Sequence, residues 1–177
     1  MTEPMKYGQT EFEVHLPPEL IAAELESNQV DLPQRTTAEH IRWALDHPID
    51  SAPLKELVKA GDKVCVIISD VTRRWQAPDT YIPILIAELE SAGVRDEDIL
   101  ILSATGTHRR QTEEEHIGLV TKPVYDRIRV EDHVCTDQDN LAYVGTTSRG
   151  TPVWLDKRAL ACDKIILTGG VVYHFMA

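Results

Sequence analysis

Three short apolar runs constrain this chain more than any other feature: KVCVIIS at residues 63–69, ILILS at 99–103 and KIIL at 164–167. None alternates polar with apolar residues, and all are too short for a buried helix, so each reads as a strand covered on both faces. Helical patterns lie between them. Residues 77–92 carry Asp79 near the start and Gly93 just past the end, and Thr112 with Glu115 forms a capping-box signature for a second helix. Residues 128–133 read as a further strand, 141–155 as a hairpin turning at Ser148-Arg149-Gly150, and 157–162 as one or two helical turns. Strand, helix and strand in alternation predict an α/β fold, a three-layer sandwich with a mainly parallel, Rossmann-like sheet and the small β-hairpin appended.

Upstream the pattern is looser. Phe12, Val14 and Leu16 alternate with polar residues, the period of a half-buried strand, and residues 28–35 are a polar, proline-containing linker. Thr36 with Glu39 then opens a helix that carries Ile41, Ala44 and Leu45 on one face and ends before Pro48. Pro53 opens a short helix, with Leu54, Leu57 and Val58 inward and Gly61 as its stop.

A chain of 177 residues suits one domain and can bury a core without disulfides or a structural metal. With 18 Lys and Arg against 29 Asp and Glu, the net charge of −11 argues against a nucleic-acid partner, which needs a basic stripe. Cys65, Cys135 and Cys162 form no C-x-x-C pair, the usage of a reducing compartment. The first residues lack the basic and apolar regions of a signal peptide, and no apolar run approaches the roughly 20 residues of a membrane span. The expectation is a cytoplasmic protein with no membrane partner.

In an open parallel sheet, ligands bind beyond the carboxyl ends of the strands, so the residues following the three runs are the ones to inspect. They are Asp70-Val71-Thr72-Arg73-Arg74, Ala104-Thr105-Gly106-Thr107-His108-Arg109 and Thr168-Gly169-Gly170-Val171-Val172-Tyr173-His174. The first is equally readable as a helix-entry loop in which Asp70 caps and Arg73 is solvated. A lone histidine after a strand is more often a surface residue than a catalyst, but His108 and His174 each follow a glycine-containing turn and face one crevice if the strands align. His15, His40, His47, His116 and His133 read as surface or structural residues. There is no H-x-x-x-H, no H-E-x-x-H and no cysteine cluster, so no metal site is expected within the chain. Ser69 and Ser103 lack a G-x-S-x-G elbow, and neither G-x-G-x-x-G nor a Walker A loop is present. Two histidines flanking a crevice, with Arg73 to hold a carboxylate, suit racemisation of a small acid, because either imidazole can serve as base while the other serves as acid.

The segments S-D-V-T-R at 69–73, A-T-G-T-H-R at 104–109 and G-G-V-V-Y-H-F at 169–175 resemble, in order and spacing, the N-terminal domain of nickel-dependent lactate racemase and its 2-hydroxyacid racemase relatives. The resemblance implies an isomerase in which a nickel-pincer nucleotide, a pyridinium thiocarboxylic acid mononucleotide joined to a lysine, takes a hydride from the substrate α-carbon and returns it to either face. It places the alternating acid and base on His108 and His174, and Arg73, Asp70 and Thr72 around the substrate carboxylate. Thr105, Gly106, Gly169 and Gly170 become the loop positions beside the cofactor. It also implies that residues 1–177 are the N-terminal α/β domain of a larger two-domain enzyme whose C-terminal domain is the missing partner. The family's cofactor-bearing lysine and nickel-ligating histidine follow the second histidine, so the chain alone is expected to be inactive, without covalent cofactor, and prone to self-association through its exposed crevice. Two departures bear on the pocket rim: Arg74 and Arg110 stand where the family pattern has proline, so the 2-hydroxy acid need not be lactate. Two other readings compete, a non-catalytic module that binds a small carboxylate or a partner domain, and a nickel-independent lyase or hydrolase acting on an α-hydroxy acid.

Overall fold

The computed structural model describes residues 2–25, 31 and 33–172. The chain divides into two compact units, Met1–Gln34 and Arg35–Ala177, and the linker expected at 28–35 lies partly outside the described residues. The first unit holds an antiparallel hairpin of β1 (Thr2–Tyr7) and β2 (Thr10–His15). Phe12 is 49% exposed within it, so the alternation read there forms a strand but not a half-buried one.

The second unit begins with α1 (Thr37–Asp46), opened by the Thr36–Glu39 capping box, and α2 (Leu54–Leu57). This second helix is one turn, ending at Val58 before Gly61; Leu54 and Val58 turn inward while Leu57 is left half exposed. There follow β3 (Val64–Ser69), α3 (Pro78–Ser91), β4 (Ile99–Ala104), α4 (Glu113–Val120), α5 (Lys122–Tyr125) and β5 (Arg129–Asp132). The hairpin of β6 (Leu141–Thr146) and β7 (Pro152–Asp156), then α6 (Lys157–Leu160) and β8 (Lys164–Leu167), complete the described elements. The four central strands make a wholly parallel sheet in the order β5-β4-β3-β8.

That order explains which face each helix covers. From β3 through β4 to β5 the chain steps in one direction, so right-handed crossovers place α3, α4 and α5 together on one face. From β5 it returns past β4 and β3 to β8, and the same handedness sends the hairpin and α6 over the other face. The strands obey it residue by residue. Val64, Val66, Ile68, Ile99 and Ile101 pack with Ile82, Ile86, Leu89, Leu119, Val120 and Val124, whereas Cys65, Leu100 and Leu102 pack with Ala159 of α6. Each fully buried aliphatic side chain contributes about 1.5–3 kcal/mol relative to exposure, so the first face carries most of the stability. Burial also pushes the Cys65 thiol up to about 12, which keeps it an inert core group.

Because α6 is a single turn, the described residues leave the second face partly open. Ile67, Leu102, Trp154, Leu160, Ile165 and Leu167 line an apolar cavity of about 500 Å³, and Leu167 is 75% exposed. No helix among the described residues is long and apolar enough to cross a membrane.

Candidate functional site

Parallel register brings the strand ends to one level. Ser69 lies beside Ala104, Ser103 beside Asp132, and Ile67 beside Leu167, so the loops leaving β3, β4 and β8 emerge together. Asp70 caps the turn that follows β3: its Oδ1 accepts from the Thr72 backbone N–H at 3.1 Å and from the Thr72 hydroxyl at 2.6 Å. Its other oxygen hydrogen-bonds Nδ1 of His108, 38 residues further along. Asp70 is 6% exposed and His108 52%, so a buried carboxylate holds a ring that reaches into solvent. Burial raises the Asp70 carboxyl, but the hydrogen bonds from Thr72 and His108 outweigh it and hold the group below its ordinary value. A lasting carboxylate favours the tautomer with its proton on Nδ1, and Nε2 has no partner among the described residues.

Arg73 is exposed and donates to the Thr72 hydroxyl at 3.2 Å through Nη1. The rest of its guanidinium fork is uncommitted among the described residues. Arg74 turns away: its guanidinium lies against Gly118 of α4, where an added Cβ would meet Nη1 at 3.3 Å. Arg109 is held by a two-pronged pair with Glu115, at 2.8 and 2.7 Å, which lowers the Glu115 carboxyl to about 2.

The remaining sequence candidates divide. Thr105 is 3% exposed and its hydroxyl donates to the His133 carbonyl, so that side chain ties the loop to the end of β5. Gly106 takes φ +60, a left-handed turn that glycine enters without strain, and opens onto free space. Gly169 is likewise unobstructed, whereas a Cβ on Gly170 would meet Trp75 and Gln76 at 3.1 Å, which packs the β8 loop against the turn after β3. Thr168 anchors that loop through the Ile67 carbonyl at 3.0 Å and the Tyr81 hydroxyl at 2.9 Å. His174 lies outside the described residues.

Sequence reading missed a second layer directly beneath. Gln111 donates from Nε2 to Ser103 Oγ at 2.8 Å and to Asp132 Oδ1 at 2.9 Å, and its backbone N–H reaches Asp132 Oδ2 at 2.7 Å. Its Oε1 accepts from the Val71 N–H at 2.7 Å. Asp132 also bonds His116 Nε2 at 2.9 Å, and both side chains are nearly enclosed. Burial raises the Asp132 carboxyl, but His116 and Gln111 outweigh it and hold it low. The available signal was the inward face of α4, where His116 shares a side with Leu119 and Val120.

The family model described as the lactate racemase N-terminal domain matches residues 7–177. Two curated lactate racemases are similar in sequence. That of Lactiplantibacillus plantarum is 34% identical over 140 residues, 78% of this chain and 32% of that protein. That of Thermoanaerobacterium thermosaccharolyticum is 27% identical over 172 residues, 97% of this chain and 40% of that protein. Among solved structures, the lactate racemase apoprotein from Thermoanaerobacterium thermosaccharolyticum superposes with a TM-score of 0.77 at 27% identity, over 94% of this chain and 38% of that one. A protein from Thermotoga maritima shares the fold, with a TM-score of 0.58 at 23% identity over 74% of this chain and 33% of that one. The chain thus spans 32% and 40% of the length of the curated relatives it matches.

Proposed function

This chain belongs to the lactate racemase N-terminal domain family, and we propose that it supplies the acid–base and carboxylate-binding part of a 2-hydroxyacid racemase, an isomerase acting on a small lactate-like acid. The observation that supports this reading best is the Asp70–His108 hydrogen bond. With Nδ1 committed to the carboxylate, Nε2 can accept the substrate hydroxyl proton and return it, and Asp70 stabilises the imidazolium in between. Arg73, steadied by Thr72, offers its open fork to the substrate carboxylate. His174 is the second base, serving the opposite face.

The α-C–H of a hydroxy acid is too weak an acid for a histidine, so the reading assigns hydride acceptance to a nickel-pincer nucleotide. Among the described residues no group of three or more His, Cys, Asp or Glu side chains could hold a metal ion, and none is assigned as a nickel ligand. Gly106 and Gly169 leave open space where a nucleotide would lie. Beside Gly170, the buried Gln76 Oε1 is an acceptor with no partner among the described residues. By the same reading the 177 residues alone are inactive.

The test is made in the full-length enzyme. His108→Ala and His174→Ala should each abolish racemisation with the circular dichroism spectrum unchanged, and near-normal turnover in either variant sinks the two-base assignment. Arg73→Ala should raise KM for the carboxylate substrate; unchanged kinetics remove its role. The isolated chain should self-associate through its open apolar surface, where Leu167 and Val171 stand exposed, and a clean monomer by light scattering counts against that.

A further inference from the structure

Gln111 hydrogen-bonds neither His108 nor Asp70, yet both polar atoms of its side chain are used, one on the turn that carries Asp70 and the other on the ends of β4 and β5. Oε1 takes the N–H of Val71, the residue immediately after Asp70. Nε2 gives its two hydrogens to Ser103 at the end of β4 and Asp132 at the end of β5. Its backbone sits three residues after His108, anchored by the second oxygen of Asp132. Reversing the amide would set an NH2 against the Val71 N–H and a carbonyl oxygen against a carboxylate, so one orientation is enforced. Ser103 and Asp132 are buried, which makes these bonds costly to lose.

We propose that Gln111 is a positioning residue for the Asp70–His108 pair: it locks the β3 turn to the β4 loop, so that Asp70 stays on Nδ1 and Nε2 remains the proton-accepting nitrogen. The two loops meet at two points. Above, Asp70 holds His108; below, Gln111 holds Val71. With the lower clamp gone, Asp70 and His108 keep only their own hydrogen bond across the two loops, and the Val71 N–H loses the side chain that ties it to the ends of β4 and β5. The inference rests on the acid–base reading of His108 for its catalytic meaning, but its geometry can be tested without catalysis.

The measurement is the pair of imidazole 15N resonances of His108 in the 177-residue chain at about pH 8, above the ordinary histidine range. The wild-type chain should show a proton fixed on Nδ1. In Gln111→Met, which keeps the length and the backbone bond to Asp132 but loses the side-chain hydrogen bonds, the two resonances should move toward a common averaged value. Unchanged resonances in a folded Gln111→Met chain overturn the proposal. A second set of variants decides the matter should that one not fold. Gln111→Glu alone sets two carboxylates against each other and should displace the resonances, and Gln111→Glu combined with Asp132→Asn exchanges amide and carboxylate and should restore them. Failure of the double variant to restore them counts against the clamp. In the full-length enzyme Gln111→Met should lower kcat on the order of tenfold with KM nearly unchanged, as expected for a misplaced base. A wild-type chain without a fixed tautomer would overturn the Asp70–His108 reading itself; a fixed tautomer that survives Gln111→Met would overturn the clamp alone.

Discussion

Three histidine–aspartate pairs occur among the described residues, Asp70–His108, Asp132–His116 and Asp156–His133, and the first two differ mainly in what surrounds the ring. In the upper pair Asp70 is buried and His108 is half exposed. In the lower pair Asp132 and His116 are 4% and 11% exposed, and Gln111 takes up the remaining capacity of the carboxylate. The chemistry of the partners is the same. A ring held on one nitrogen and open on the other can exchange a proton with a ligand, whereas the enclosed His116 ring ties α4 to the end of β5 through Asp132. Exposure, rather than residue type, separates a candidate base from a structural strut.

The sharpest way to break this contrast is Asp132→Ala. It leaves the Gln111 N–H, the Gln111 amide and His116 without their acceptor, a loss of about 3–5 kcal/mol for a disrupted buried pair. Thermal unfolding of the chain should then drop by roughly 6–20 °C, given about 2–4 °C per kcal/mol in a domain of this size. A shift of a degree or two would mean that the lower pair is not a strut.

Asp70→Asn should do the reverse. Asparagine caps as well as aspartate, so Thr72 keeps its acceptor and the melting temperature should fall less than in Asp132→Ala, by the share that the Asp70 charge contributes. The amide cannot hold the Nδ1–H tautomer as a carboxylate does, and racemisation by the full-length enzyme should fall on the order of 100-fold or more. Retained turnover would remove Asp70 from the mechanism.

Acid should weaken both pairs. Asp70 and Asp132 are held below the ordinary aspartate range in the folded chain, so the stability they contribute is present above the unfolded value near 3.8 and is lost as pH falls through the depressed folded values. A melting temperature that declines below about pH 4, with a shallower decline in Asp132→Asn, is the expected profile. A slope unaltered by that substitution would show that the linkage lies elsewhere.

The smallest effect separates the site from its scaffold. Thr112→Ala removes the cap of α4 and should cost about 1 kcal/mol in urea unfolding without altering the His108 resonances. A change in those resonances would mean that the cap, and not Gln111 alone, sets the loop.

Much of this was legible in the chain because it is written locally. The unbroken apolar runs gave the parallel strands, Thr36 with Glu39 and Thr112 with Glu115 gave two helix starts to the residue, and the Ser148-Arg149-Gly150 turn gave the hairpin. Strand ends also put Asp70, Thr72, Arg73 and His108 at one edge of the sheet, where the structure has them. Position along the chain did not distinguish Thr105, whose hydroxyl is turned under the loop, from Gly106, which opens outward. Nor did it single out Gln111, an ordinary residue ahead of a cap.

What the sequence determined by itself was therefore the set of elements and the edge on which polar groups gather, because hydrophobic period and capping act within a few residues. The tertiary structure decided which groups meet: Asp70 with His108 across 38 residues, and Gln111 with Val71 across 40. Those pairings depend on strand order and register, which arise from packing two faces of one sheet at once, and no local stretch of sequence carries that information.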